Sequence, residues 1–217
     1  MNIEKARFNM IEQQVKPWKV FDERLLGAMA TIPREKFVPE SHRSVAYADT
    51  HIPLGHNQSM LAPREIARMI QALGLTGEEK VLEIGCGSGY SSALLAKLSK
   101  KVYSVDIIGD FVSDTRKRLK KLAFSNVEIE EVDAADGWMA QAPYDAIIMT
   151  SMLNKWPDSM IKGLTSEGRI VGILGSPENQ HVVLGYFDEH SSWQQEELFP
   201  VQATPMINAE LPNTFEF

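Results

Sequence analysis

The chain has 217 residues, 44% of them hydrophobic, and a formal net charge of −7 at pH 7. That is enough apolar material for a full core, while the acidic balance argues against the basic field that non-specific binding to nucleic acid or an anionic membrane requires. The only cysteine, Cys86, leaves no disulfide framework and no multi-cysteine metal site.

Apolar spacing predicts helices over 2–15 and 22–31, the second with Asp22 as its N-cap. Pro33, Pro39, Pro53 and Pro63 punctuate an irregular stretch, and a helix opens near Pro63-Arg64-Glu65, since proline suits a first turn. From residue 80 strand and helix patterns alternate. Strands are expected near 81–85, 102–106, 127–132, 144–150 and 168–174, with helices near 90–100, 110–122 and 157–164. This alternation predicts an α/β, Rossmann-like fold with a mostly parallel, doubly wound sheet. Beyond Gly175, residues 181–187 and 196–201 flank a polar turn and read as a C-terminal antiparallel hairpin at the sheet edge. The expected organisation is an N-terminal helical segment and loop over 1–62 and the α/β domain over 63–217, together one structural unit.

The chemistry is concentrated at the carboxyl ends of the expected strands, where an open parallel sheet binds its ligand. Val81-Leu82-Glu83-Ile84-Gly85-Cys86-Gly87-Ser88-Gly89-Tyr90 joins a strand to a helix through three glycines at alternate positions. Glycine permits positive φ and lets a ligand approach the main chain, and the following helix leaves its first amides free for a polar group. A dinucleotide fingerprint would need glycine where Tyr90 stands. The acid-x-Gly-x-Gly-x-Gly spelling instead resembles motif I of S-adenosylmethionine-dependent methyltransferases.

Asp106 closes the next strand, where a carboxylate can accept hydrogen bonds from ribose hydroxyls; capping the helix that starts near Gly109 is the plainer alternative. Asp133 closes the third strand and could accept from an adenine amino group or simply form a turn. The fourth strand delivers Thr150 to the same end. The five histidines show no metal-binding spacing, so no metal is expected. No apolar run nears the roughly 20 residues that span a bilayer, and no apolar signal core follows residues 1–7. A cytoplasmic protein is the expectation.

Several stretches, in order, resemble the protein-L-isoaspartate O-methyltransferases, which repair isomerised aspartyl residues. Ile32-Pro33-Arg34-Glu35-Lys36-Phe37-Val38-Pro39-Glu40 is similar to the family's Val-Pro-Arg-Glu-x-Phe-Val segment. Tyr47-Ala48-Asp49 and Ile52-Pro53-Leu54-Gly55 resemble its Tyr-x-Asp and Pro-Ile-Gly segments, and Ala142 to Ile148 resembles a core strand. The resemblance spans roughly 25–175 and weakens at Pro205-Met206-Ile207-Asn208. It implies a methyltransferase fold, S-adenosyl-L-methionine as cofactor and isoaspartyl proteins or peptides as partners. It also implies cofactor contacts at Glu83, Gly85, Cys86, Gly87, Ser88, Gly89, Asp106, Ile107, Asp133 and Ala134, and acceptor-side roles for Ser59 and Thr150.

Two departures fall on the acceptor side. The family's Gly-x-Gly-Gln-Thr-Ile-Ser-x-Pro becomes Gly55-His56-Asn57-Gln58-Ser59-Met60-Leu61-Ala62-Pro63, so Leu61 stands at the position of a serine proposed to assist catalysis. After Thr150, Ala-Ala-Pro becomes Ser151-Met152-Leu153. Three readings follow: an isoaspartyl carboxyl methyltransferase, a methyltransferase of the same fold for a small carboxylate or hydroxyl acceptor, and a non-catalytic adenosylmethionine-binding protein.

Overall fold

The computed structural model describes residues 2–209. Asn2 caps α1 (Ile3–Met10) by accepting from the Lys5 amide, and the helix runs on through a π-turn at Ile11–Val15 and a 3-10 turn at Lys16–Trp18. Asp22 caps α2 (Glu23–Thr31) through the Arg24 and Leu25 amides, as its sequence position predicts. A short hairpin follows, β1 (Ile52–Gly55) and β2 (Gln58–Met60), in a stretch expected to be irregular. Its turn residues His56 and Asn57 both have positive φ, 51° and 56°. That is the geometry of the two-residue turns that match strand twist, and asparagine tolerates it.

Helix α3 (Pro63–Ala72) then leads into the main sheet. Its elements are β3 (Lys80–Ile84), α4 (Tyr90–Leu98), β4 (Lys101–Asp106), α5 (Gly109–Lys121), β5 (Val127–Glu131), β6 (Tyr144–Leu153), α6 (Asp158–Lys162), β7 (Leu164–Ser176), β8 (Asn179–Phe187) and β9 (Trp193–Pro200). The strand order is β5-β4-β3-β6-β7-β8-β9, parallel from β5 to β7 and antiparallel from β7 to β9. The mostly parallel sheet with a C-terminal hairpin is therefore the observed architecture. Helix α6 is shorter than the 157–164 expected, because Leu164 already pairs with Tyr144 as the start of β7.

Alternation along the strands sorts two cores. Val81, Val102, Ala146 and Ile148 face one side with α2, α3 and α4, and residues from Met10 to Leu61 belong to this same cluster. Leu82, Ile84, Ile147 and Met149 face the other side with Trp156 and Met160. The chain winds outward from β3 to β4 and β5, then returns to β6 on the opposite side of β3. This reversal sets a crevice at the carboxyl ends of β3 and β6, with the end of β4 alongside.

Candidate active site

The glycine loop from Gly85 to Gly89 fills the space between β3 and α4, and its three glycines have φ of +90°, +46° and +82°. Each sits where a side chain is disfavoured, which is why the loop spells glycine at alternate positions. The loop is held by the next layer of the fold. The Gly85 amide donates to the Val105 carbonyl at 2.8 Å, Thr115 Oγ1 donates to the Gly87 carbonyl at 3.0 Å, and the Gly87 amide donates to Asp106 Oδ2 at 2.9 Å.

A cavity of about 730 Å3 opens at this end of the sheet. Gly85 and Gly87 line one side, Asp106 and Ile107 another, and Asp133 and Ala134 a third. Ser59, from β2, and Thr150, from β6, also line it. A second cavity of about 360 Å3 adjoins it, sharing Ser59, Leu61, Gly85, Gly87 and Thr150 and adding Cys86, Ser88, Arg34 and Tyr90. Residues quoted from five separate stretches of sequence thus meet at one end of the sheet.

Two of the expected contacts lie elsewhere. Glu83 is fully buried and lines neither cavity; the pleat turns it, with Val81, toward α4, and Ser92 of α4 and Ser104 of β4 donate to Oε2. Burial pushes its carboxyl up to about 7, against the lowering effect of those hydroxyls. Gly89 also lines neither cavity. A Cβ there would lie 2.7 Å from Thr115 Cγ2, so this glycine lets α5 close on the loop. Cys86 is buried, and loss of solvation raises its thiol pKa, so it is no nucleophile at neutral pH.

Asp106 does not cap α5, whose N-cap is Ile108 with no side-chain cap hydrogen bond. Besides binding the Gly87 amide, it accepts at 3.0 Å from Ile108, the residue before α5. A carboxylate has about four lone-pair sites, so two remain for a ligand. Asp133 accepts from the Ala135 amide at 3.1 Å, the expected turn, and from Asn208 Nδ2 at 2.8 Å.

The Asn208 contact ends a strap that sequence patterning does not mark. Ala203, Thr204, Met206 and Ile207 line the larger cavity. The strap is tied to β6 by Met152, whose amide donates to Thr204 and whose carbonyl accepts from Met206, each at 2.9 Å. Leu61 occupies the wall common to both cavities, and its carbonyl accepts from Arg34 Nη2 at 2.8 Å. Among the described residues no group of three or more His, Cys, Asp or Glu side chains is arranged to hold a metal.

The family model for protein-L-isoaspartate(D-aspartate) O-methyltransferase matches residues 5–210. The chain belongs to this family. It is 41% identical to the protein-L-isoaspartate O-methyltransferase of Geobacter metallireducens over 183 residues, which cover 84% of the chain and 85% of that relative. It is 36% identical to the enzyme of the same name from Xanthomonas euvesicatoria pv. vesicatoria over 211 residues, covering 97% and 93%. Two solved structures share the fold. One, named protein-L-isoaspartate O-methyltransferase, superposes with a TM-score of 0.79 at 22% identity; the match covers 93% of the chain and 65% of that protein. The other is a Plasmodium falciparum protein, a candidate protein-L-isoaspartate O-methyltransferase in complex with S-adenosyl-L-homocysteine. Its TM-score is 0.76 at 19% identity, with 95% and 98% covered.

Proposed function

We propose that the chain transfers a methyl group from S-adenosyl-L-methionine to the carboxylate of isoaspartyl residues in damaged proteins or peptides. The observation that carries this reading is the family match over residues 5–210, in a chain whose glycine loop shares a cavity with Ser59 and Thr150. The residues suit the cofactor: Asp106 retains acceptor capacity for ribose hydroxyls, Ile107 and Ala134 offer apolar walls to a flat base, and Gly87 leaves the main chain open. In this division of labour the α/β domain, 63–217, holds the cofactor, and 1–62 supplies much of the acceptor side.

When bound, the cofactor supplies a methyl group already activated on a sulfonium. A carboxylate acceptor is deprotonated at neutral pH, so no protein group has to remove a proton. What remains for the protein is alignment, which is worth up to about 7–11 kcal/mol when the reacting atoms are held in line. Ser59 and Thr150 hold the acceptor by hydrogen bonds in this account, and the strap at 203–207 excludes water. Leu61 donates nothing, which is compatible with a reaction that needs no base.

Leu61 in the shared wall also favours a second reading, a small carboxylate or hydroxyl acceptor. Label that stays in mild base marks a methyl ether and hence a hydroxyl acceptor, whereas label released as methanol marks a carboxyl ester, and incorporation into an isoaspartyl peptide then separates that acceptor from a small carboxylate. The acidic charge of −7 supports a function away from nucleic acid. Among the described residues no helix is long and apolar enough to cross a membrane. The lone buried cysteine suits the reducing cytoplasm.

A further inference from the structure

Arg34 opens a single 3-10 turn, Arg34–Lys36, between Pro33 and Phe37, and its side chain has no solvent exposure. Its Nε donates to the Ala46 carbonyl at 2.9 Å and its Nη2 to the Leu61 carbonyl at 2.8 Å. Nη1 has no partner among the described residues, and no carboxylate there forms a salt bridge with this guanidinium. The group lies over the Tyr90 ring, 4.8 Å from its centroid. Tyr90 is itself 1% exposed; its hydroxyl has no partner at ordinary hydrogen-bond distance, and the group it interacts with is the Arg34 guanidinium, which leaves its proton without an acceptor.

A buried cation without a counter-ion is costly, and so is a buried hydroxyl without an acceptor. Burial lowers the Arg34 pKa to about 10, so the charge persists at neutral pH, and burial raises the Tyr90 pKa, so its hydroxyl remains a donor. Both residues line the smaller cavity, beside Cys86, Gly87 and Ser88. Two unsatisfied donors, one of them charged, at the wall of a cavity that joins the cofactor cavity call for an anion of carboxylate size.

Resting on the methyltransferase reading, we propose that Arg34 and Tyr90 form a carboxylate seat in the smaller cavity, filled by the amino-acid end of the cofactor. A nucleoside held between Asp106 and Asp133 would have its amino-acid end directed toward this cavity, whose walls at Gly85, Gly87 and Ser59 are common to both spaces. The acceptor's carboxylate is the other source of the same chemistry.

The test compares, by calorimetric titration, S-adenosylhomocysteine with its decarboxylated analogue, which keeps the nucleoside and thioether and lacks only the carboxylate. The unaltered protein should prefer the carboxylate form by about 10- to 150-fold, the range of a hydrogen bond to a charged group. Tyr90→Phe, which keeps the ring under the guanidinium, and Arg34→Lys should both shrink that ratio while affinity for the decarboxylated analogue stays within about threefold. If instead the ratio is near one and the same variants raise the dissociation constant of an isoaspartyl peptide, the seat exists and holds the acceptor.

The seat is wrong if folded Tyr90→Phe and Arg34→Lys leave both the ratio and the peptide affinity as in the parent. It is equally wrong if both nucleosides weaken in parallel, because loss of the Ala46 and Leu61 tethers alone would do that. A parent protein that binds neither nucleoside would sink the methyltransferase reading itself, and would do so before any variant is made.

Discussion

Asp106 Oδ2 and the Gly87 amide are joined by a 2.9 Å hydrogen bond, so the acid that closes β4 and the loop that follows β3 form one unit. The acid therefore shapes the loop as well as offering oxygens to a ligand. Asp106→Ala should weaken S-adenosylhomocysteine binding by about 1.5–3 kcal/mol for a lost bond to a charged acceptor, with more if the freed loop shifts. Calorimetric titration of the folded variant checks this, and unchanged affinity would remove Asp106 from the site.

Gly87 and Gly89 separate two uses of glycine within one loop. At Gly89 an added Cβ meets Thr115 Cγ2 at 2.7 Å and φ is +82°, so Gly89→Ala should lower stability by about 1–3 kcal/mol while what folds still binds ligand. At Gly87, among the described residues and apart from its chain neighbours, an added Cβ meets Leu54 Cδ1 at 3.3 Å, on the cavity wall. Gly87→Val should therefore lose ligand affinity more completely. Thermal denaturation with and without S-adenosylhomocysteine distinguishes them: a ligand at 100 times its dissociation constant adds about 2.7 kcal/mol where binding survives.

Glu83 gives a pH dependence of known sign. Its folded carboxyl titrates near 7 because it is buried, so above the usual carboxylate range and up to about 7 the folded protein keeps a proton that the unfolded chain has released. Stability should fall as pH rises through that window, on the order of 3 kcal/mol in all. Glu83→Gln, which is neutral at every pH, should flatten the fall, seen as a smaller difference in melting temperature between pH 5 and pH 8. An equal slope in both proteins would show that Glu83 is not the group responsible.

The fold and half of the site were legible because they rest on local rules. Apolar period and glycine spacing located β3, the loop and α4, and the ends of β4 and β5 placed Asp106 and Asp133 at the crevice. That Glu83 turns away from both cavities was not legible, because pleat direction, set by which neighbours share the Val81 face, is not written in the motif itself. The β1–β2 hairpin was missed because His56-Asn57 is a weaker turn signal than Asn-Gly and Pro53 argues against a strand. The strap at 203–207 has no period to read, since its backbone bonds run to Met152 rather than along itself. Arg34 in a proline-flanked turn reads as a surface residue, and only packing shows it fully buried.

Leu61 is the sharpest departure from the family pattern. In a repair enzyme that lacks one positioning hydroxyl, Leu61→Ser should raise methylation of an isoaspartyl peptide by about 2- to 12-fold, as one recovered hydrogen bond of about 0.5–1.5 kcal/mol implies. If Leu61 is instead part of an apolar pocket for another acceptor, serine there should give no gain on the peptide and reduce turnover of the real substrate. Steady-state rates of the two proteins on the same peptide decide between them.

The central claim is that the acceptor is an isoaspartyl carboxylate. The direct measurement is incorporation of labelled methyl from S-adenosylmethionine into an isoaspartyl peptide, run beside the peptide of identical sequence with a normal aspartyl residue. The account predicts time-dependent labelling of the isoaspartyl peptide and none of its twin. Equal labelling of both, or no labelling of either by protein shown to bind S-adenosylhomocysteine, would contradict it.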